Sequence, residues 1–226
     1  MPLAWLPAVA NEPWVRWDWV ARHTEDIGMA VAEHIQLTVI AVGLGLLIAL
    51  PFGLVGWYSR SIRGAVLTVG GILYTIPSLA LFALLIPFTG LTVLTSEIGL
   101  VSYTLLILTR NIIVGLDGVP ADVREAATGM GYRAPRQLLT IELPLALPVI
   151  MAGIRIATVT TIGLVTVTAL LGQGGLGRFI LAGLIGAFPT PEVVGGVLSI
   201  LLAVVADLLL ASVQRALTPW TRAVAR

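Results

Sequence analysis

Five stretches of the chain run apolar, almost without interruption, for 18 residues or more: Ile35 to Trp57, Ala65 to Phe88, Ile98 to Gly115, Leu143 to Leu171 and Val193 to Val213. A hydrocarbon core about 30 Å thick takes about 20 helical residues to cross, so each run is of membrane-spanning length. Lipid offers nothing to an open backbone, and each run must therefore close its hydrogen bonds within itself as a helix. The runs are too long for barrel strands and show no alternation of period two. The expected fold is an all-α integral membrane protein of five transmembrane helices. With 226 residues, 58% hydrophobic and 11% charged, and a mean hydropathy of +1.00, little chain is left for a second domain. Pro51, Pro77, Pro144 and Pro148 lie inside or at the edge of these runs. Kinks rather than breaks are expected there, because neighbouring helices absorb the lost hydrogen bonds.

The charges orient the chain. All 13 basic residues are arginine. Arg60 and Arg63 fall between the first and second runs, Arg124, Arg133 and Arg136 between the third and fourth, and Arg215, Arg222 and Arg226 after the fifth. The segment from Thr89 to Glu97 carries none, and the one between the fourth and fifth runs carries only Arg178. The positive-inside rule then puts the N-terminus outside and the C-terminus in the cytoplasm, as five crossings require. No basic region precedes Met1 to Ala10, which is expected to remain in the mature protein. Residues 1–33, with Trp5, Trp14, Trp17 and Trp19, read as an interfacial segment resting at the lipid headgroups. Residues 34–217 read as the transmembrane domain and 218–226 as a cytoplasmic tail. There is no cysteine, which excludes disulfides, thiolate metal sites and cysteine nucleophiles.

The longest polar interruption, residues 117–144, reads as two short helices around a glycine. Pro120 suits a first helical position, Asp122 and Glu125 complement the helix dipole, Gly131 ends the first helix and Pro135 opens the second. Such a pair fits a groove on a cytoplasmic partner, presenting Ala126, Ala127 and Met130 on one side. Glu125-Ala126-Ala127, then three residues to Gly131, nine more to Ile141, one to Leu143, and Pro144 resemble the signature of ABC importer permeases known as the EAA loop. In that family the segment is a coupling helix that sits in a cleft of the ATPase subunit. The resemblance assigns ATPase coupling to Glu125, Ala126, Ala127, Gly131, Ile141, Leu143 and Pro144.

Further stretches resemble the osmoprotectant branch of that family, which carries glycine betaine, choline, carnitine and proline betaine. They are Glu33 to Thr38, Thr75 to Ala80, Arg110-Asn111, Ala152 to Arg155 and Leu171 to Gly177. The resemblance implies a fold like that of the methionine permeases, in a bacterial inner or plasma membrane. It implies a second permease subunit, identical or related, cytoplasmic ATP-binding subunits and an extracytoplasmic substrate-binding protein. ATP and magnesium would belong to the ATPase; no cofactor or metal is expected in this chain, and no nucleic acid. Methionine-type importers share the signature, so methionine or another small amino-acid-like solute is the alternative cargo.

Gly172, Gly174 and Gly177 satisfy the GxGxxG spacing of dinucleotide-binding turns, but they follow an apolar span and no strand precedes them. Close helix packing and a re-entrant turn account for them better, with Phe179 to Phe188 as a short outer helix and Arg178 as a possible contact of the binding protein. The absence of lysine rules out a phosphate-binding GxxxxGK[ST] loop. Thr158, Thr161 and Thr168 share a helix face and are candidates to line a translocation path, with back-bonding to helix carbonyls as the competing role. Tyr74, Thr75 and Ser78 are further path candidates. Tyr74, Phe82 and Tyr103 are the aromatic rings available for cation–π contact with a quaternary ammonium, which has no N–H to donate. Arg155 and Asp207 lie deep in the fourth and fifth runs, where a lone charge is costly, and are expected to pair, with Glu142 as the rival partner of Arg155. His23 and His34 lack metal-ligand spacing and read as interfacial. An intramembrane enzyme would need a Ser-His pair, clustered histidines or paired carboxylates, none of which occurs. A passive channel would leave the 117–144 segment without a purpose.

Overall fold

The computed structural model describes residues 13–222. Met1 to Ala10, with Trp5, and Arg226 lie outside the described residues. A short helix, α1 (Trp17–Arg22), precedes the long α2 (Thr24–Tyr58). Then come α3 (Arg60–Thr75), α4 (Ser78–Thr89) and α5 (Val93–Asp117). Two short helices follow, α6 (Ala121–Gly129) and α7 (Ala134–Gln137), the second running through a π-helical turn, Leu138–Glu142, into α8 (Leu143–Val167). A 3₁₀ turn, Thr168–Leu171, leads to α9 (Gly177–Gly186), α10 (Pro189–Leu217) and a closing 3₁₀ turn, Pro219–Arg222. No strand occurs among the described residues.

Four elements, α2, α5, the α7–α8 unit and α10, are long and apolar enough to cross a membrane, and the bent pair α3–α4, counted as one, makes a fifth. The expected second span is thus broken, not kinked: α3 and α4 meet at 96°. Pro77 gives the reason. It cannot donate to the ladder, and it pushes Ile76 out of the helical region, to φ −65° and ψ 125°. The Tyr103 hydroxyl donates to the Ile76 carbonyl that the break exposes. Pro51, by contrast, sits inside an unbroken α2.

Helix α5 is the central pillar, packed against α2 and α8 and, less extensively, α3 and α4. Small residues set the spacing. A Cβ at Gly45 would overlap Thr104, one at Gly53 would overlap Ile112, and one at Gly153 would come within 2.5 Å of the Asn111 Cβ. The pairs 45/104 and 53/112 rise together, so α2 and α5 run parallel; 115/146 and 111/153 run oppositely, so α8 is antiparallel to α5. Two apolar clusters fill the seams, one around Leu37, Phe82, Leu100 and Val165 and one around Ala49, Leu108, Ile112 and Ile150. Helix α10 leans chiefly on α8 and α9, accepts the Arg16 amide on its Thr190 hydroxyl at 3.0 Å, and leaves Ile200, Val204, Leu208 and Leu209 exposed.

Several boundaries differ from the sequence reading. Residues 24–33, read as interfacial, are the first three turns of α2. Thr95 to Glu97, read as a loop, belong to α5, whose start Thr92 caps by accepting from the Thr95 amide at 3.4 Å. His34 is fully buried, and its Nε2 lies 3.0 Å from the Ile162 carbonyl of α8. Hydropathy marks where a chain is apolar; capping and burial against a neighbour decide where a helix begins.

Candidate functional site

The 117–144 segment is built by local rules. Gly131, at φ 82°, ends α6 in a Schellman arrangement: the Tyr132 amide reaches the Ala127 carbonyl at 3.1 Å and the Gly131 amide reaches that of Thr128 at 2.9 Å. A left-handed residue is required there, which glycine supplies without strain. Along α6, Glu125, Ala126 and Met130 are exposed, whereas Ala127 is 1% exposed and packs inward. The face expected to hold Ala126, Ala127 and Met130 together is therefore divided. Ala126 and Met130, four residues apart, point out, and Ala127, a step further round the helix, anchors it.

The root of this projection is polar and buried. The Thr128 hydroxyl donates to Gln137 Oε1 at 3.3 Å, and Gln137 Nε2 donates to Glu142 Oε1 at 2.8 Å. The other Glu142 oxygen faces Arg124 at 3.7 Å. Arg124 in turn donates to the Leu116 carbonyl at 2.5 Å and lies 5.4 Å from the Trp57 ring. A cation on the last carbonyls of α5 complements the helix dipole. One chain of contacts thus joins α6, α7, the π turn and the ends of α2 and α5. Glu142 is engaged here and is not the partner of Arg155. Ile141, Leu143 and Pro144 are half-buried at the start of α8, with Leu143 against the lower core cluster. A second clasp, Arg63 with Asp117 at 2.8 and 3.1 Å, ties α3 to the end of α5 while Arg63 Nε donates to the Gly56 carbonyl.

The far end is knit by the glycine cluster. A Cβ at Gly174, where φ is 104°, would lie 2.4 Å from the Ala169 amide, and one at Gly177 would overlap the Thr166 backbone. The turn folds α9 back against α8. Arg178 forms an ion pair with Glu33 at 2.5 Å across α9 and α2. The Trp19 ring stacks on His23 at 4.2 Å and meets Phe179 and Phe188 edge-on.

Between the two ends, Arg155 and Asp207 form a two-pronged ion pair, Nε to Oδ1 and Nη2 to Oδ2, both 2.8 Å. Gln214 accepts from Arg155 Nη1 at 3.4 Å and donates to the Pro148 carbonyl at 3.2 Å. Thr158, Thr161 and Thr168 face the interior of the subunit; Thr158 and Thr168 bond back to the Ile154 and Val165 carbonyls at 2.8 Å. Thr160 is half-buried on the other side. Tyr74 is 41% exposed and packs edge-on to buried Tyr103, Thr75 bonds back to Ile72, Ser78 opens α4, and Phe82 is buried. The structure does not bring the Tyr74 group and the threonines of α8 into one lining. The sequence reading passed over Arg110 as a charge, although it lies inside the third apolar run. It is exposed on α5. No group of three or more metal-ligating side chains occurs among the described residues.

A multi-pass membrane subunit with a glycine-locked far end and a polar-rooted helical projection at the other is the architecture of an importer permease. The chain belongs to the family described as "Binding-protein-dependent transport system inner membrane component", whose model matches residues 41–222. It is 39% identical over 188 residues to the choline transport system permease protein OpuBB of Bacillus subtilis (strain 168), spanning 83% of this chain and 86% of that one. It is 38% identical over 192 residues to the osmoprotectant import permease protein OsmW of Salmonella typhimurium (strain LT2), spanning 83% and 89%. The inward-facing MetNI methionine ABC transporter shares the fold, with a TM-score of 0.77, 23% identity, and coverage of 87% of this chain and 98% of that one.

Proposed function

We propose that this chain is the permease subunit of an ABC importer for quaternary-ammonium osmoprotectants such as glycine betaine, choline and carnitine. The observation that carries the coupling role is α6: a short helix exposing Glu125, Ala126 and Met130, rooted through Arg124, Gln137 and Glu142 in the ends of α2, α5 and α8. A push on α6 is therefore a push on three membrane helices. The named cargo of the two relatives supports the substrate class. In this reading the arginine-rich end is cytoplasmic, a separate ATPase subunit binds ATP and magnesium and receives α6, and an extracytoplasmic binding protein delivers cargo to the glycine-locked end. Two permease subunits enclose the path, alternating between inward-open and outward-open states. This chain supplies path and coupling and performs no hydrolysis.

The test is uptake of radiolabelled glycine betaine, choline and methionine by the complete transporter in proteoliposomes, with wild type and Glu125→Lys compared. Reversing the exposed charge is expected to abolish ATP-dependent uptake while the permease still assembles in the membrane. Uptake of methionine alone would keep the mechanism and replace the cargo, a reading favoured only by the likeness in fold to MetNI. Uptake indifferent to Glu125→Lys would remove α6 from the coupling role.

A further inference from the structure

Helices α5 and α8 are antiparallel and meet through Asn111 and Gly115 on one side and Gly153 and Ala146 on the other. One residue back along each helix turns the side chain by about 100°. Because the helices run oppositely, one step back on both leads to the same side of the pair. Arg110 and Val114 of α5 therefore share a face with Leu145 and Ala152 of α8. All four are exposed or half-buried. The contact between Asn111 and Gly153 also sets the depth, so that Arg110 stands level with Ala152, about 10 Å inside the end of α5 at Asp117.

Ala152 is one wall of a groove of about 510 Å³, lined by Ala152, Arg155, Ile156, Val159, Thr160 and Asp207. This face carries an unusual set of unused groups. The Arg110 guanidinium makes no hydrogen bond or ion pair with any of the described residues. Arg155 spends three of its five N–H groups on Asp207 and Gln214, which leaves two free, and the Asp207 oxygens keep lone pairs. Ile156 and Val159 between them are apolar and exposed. A face with two cations and an anion within the span of the membrane does not rest against lipid tails.

We propose that this face is a transit subsite for a zwitterion that bears a carboxylate and a quaternary ammonium. Arg110 receives the carboxylate, for which a planar guanidinium with free N–H pairs is the matched partner. The ammonium head has no N–H and is held by charge and shape alone; it lies in the groove over Ile156 and Val159, at the rim that Asp207 makes negative. Arg155 keeps Asp207 oriented and limits how tightly the head is held, as a path that must release its cargo requires. The subsite rests on the osmoprotectant reading above and refines it: a cargo with a carboxylate is sorted from one without.

The experiment measures saturated uptake of glycine betaine and choline by the reconstituted transporter, and reads the ratio of the two rates. Choline lacks the carboxylate, so contributions of assembly, coupling and delivery cancel in that ratio. Arg110→Gln is expected to lower the betaine-to-choline ratio at least tenfold. Arg110→Lys keeps the charge but loses the two-pronged fit, and is expected to lower it by a smaller factor. An unchanged ratio in both variants would overturn the subsite, as would a ratio unchanged in Arg110→Lys when Arg110→Gln fails to assemble. Arg110 would then be an anchor reaching for the headgroups. A wild type that carries choline alone also overturns the subsite while leaving the importer reading intact, and a wild type that carries neither refutes the osmoprotectant reading itself.

Discussion

Charges inside an apolar chain are few enough to be followed one at a time. Arg124, Glu142 and Gln137 hold the root of α6, Arg63 and Asp117 clasp α3 to α5, and Arg155 and Asp207 join α8 to α10. Each links elements that apolar contact alone would leave free to slide. Helix α10 depends on such a link most, since beyond α8 it packs chiefly against α9. Asp207→Ala leaves Arg155 without its partner at mid-span. We expect it to cut the yield of the assembled complex roughly tenfold in size-exclusion chromatography of detergent extracts. Exchanging the charges, Arg155→Asp with Asp207→Arg, is expected to recover part of that yield, because the Gln214 amide can both donate and accept. Wild-type yield from Asp207→Ala would show that α10 is held by packing alone.

The elements were legible in the sequence to the extent that they obey one rule. Length and hydropathy located every long helix, and the cost of lone charges at span depth pointed Arg155 towards Asp207. What escaped was set by a neighbour. The break at Pro77 survives because Tyr103, 26 residues on, satisfies the Ile76 carbonyl; no local signal separates that from the intact passage at Pro51. Ala127 turns inward because α6 packs against its own root, and a motif read as a string does not show which alanine is covered. Arg110 was legible as half of an Arg-Asn pair and not as an exposed cation, since exposure belongs to the folded chain. The glycine cluster offers a test of how these local rules differ. Gly172 and Gly174 both have positive φ, but a Cβ at Gly172 meets open space and one at Gly174 meets the Ala169 backbone. Gly172→Ala is expected to cost about 1 kcal/mol and Gly174→Ala more than about 3 kcal/mol, measured as thermal stability of the solubilised protein. Equal effects would mean that α9 is not locked against α8 by this turn.

At the scale of the whole molecule, the arginines divide the chain into two ends, and this division predicts the orientation in the membrane. The absence of cysteine makes the wild type a ready background for labelling. Ser61→Cys and Ala134→Cys, both at exposed positions of the arginine-rich end, should react with a membrane-impermeant maleimide only in inverted vesicles. Leu91→Cys, exposed at the other end, should react in intact cells. The reverse pattern would overturn the positive-inside assignment. The two ends are joined by α2, whose 35 residues form an unbroken rod about 52 Å long. Near one end Gly175 lies so close that a Cβ there would fall 2.6 Å from its Ala30 carbonyl, and at the other Arg63 holds its Gly56 carbonyl. A rod clamped at both tips behaves as a lever: a tilt of about 5° around its middle carries the tips about 2 Å in opposite directions. Displacement at the mouth that faces one side of the bilayer is thereby registered on the other within the same rigid body, with no relay of side chains between.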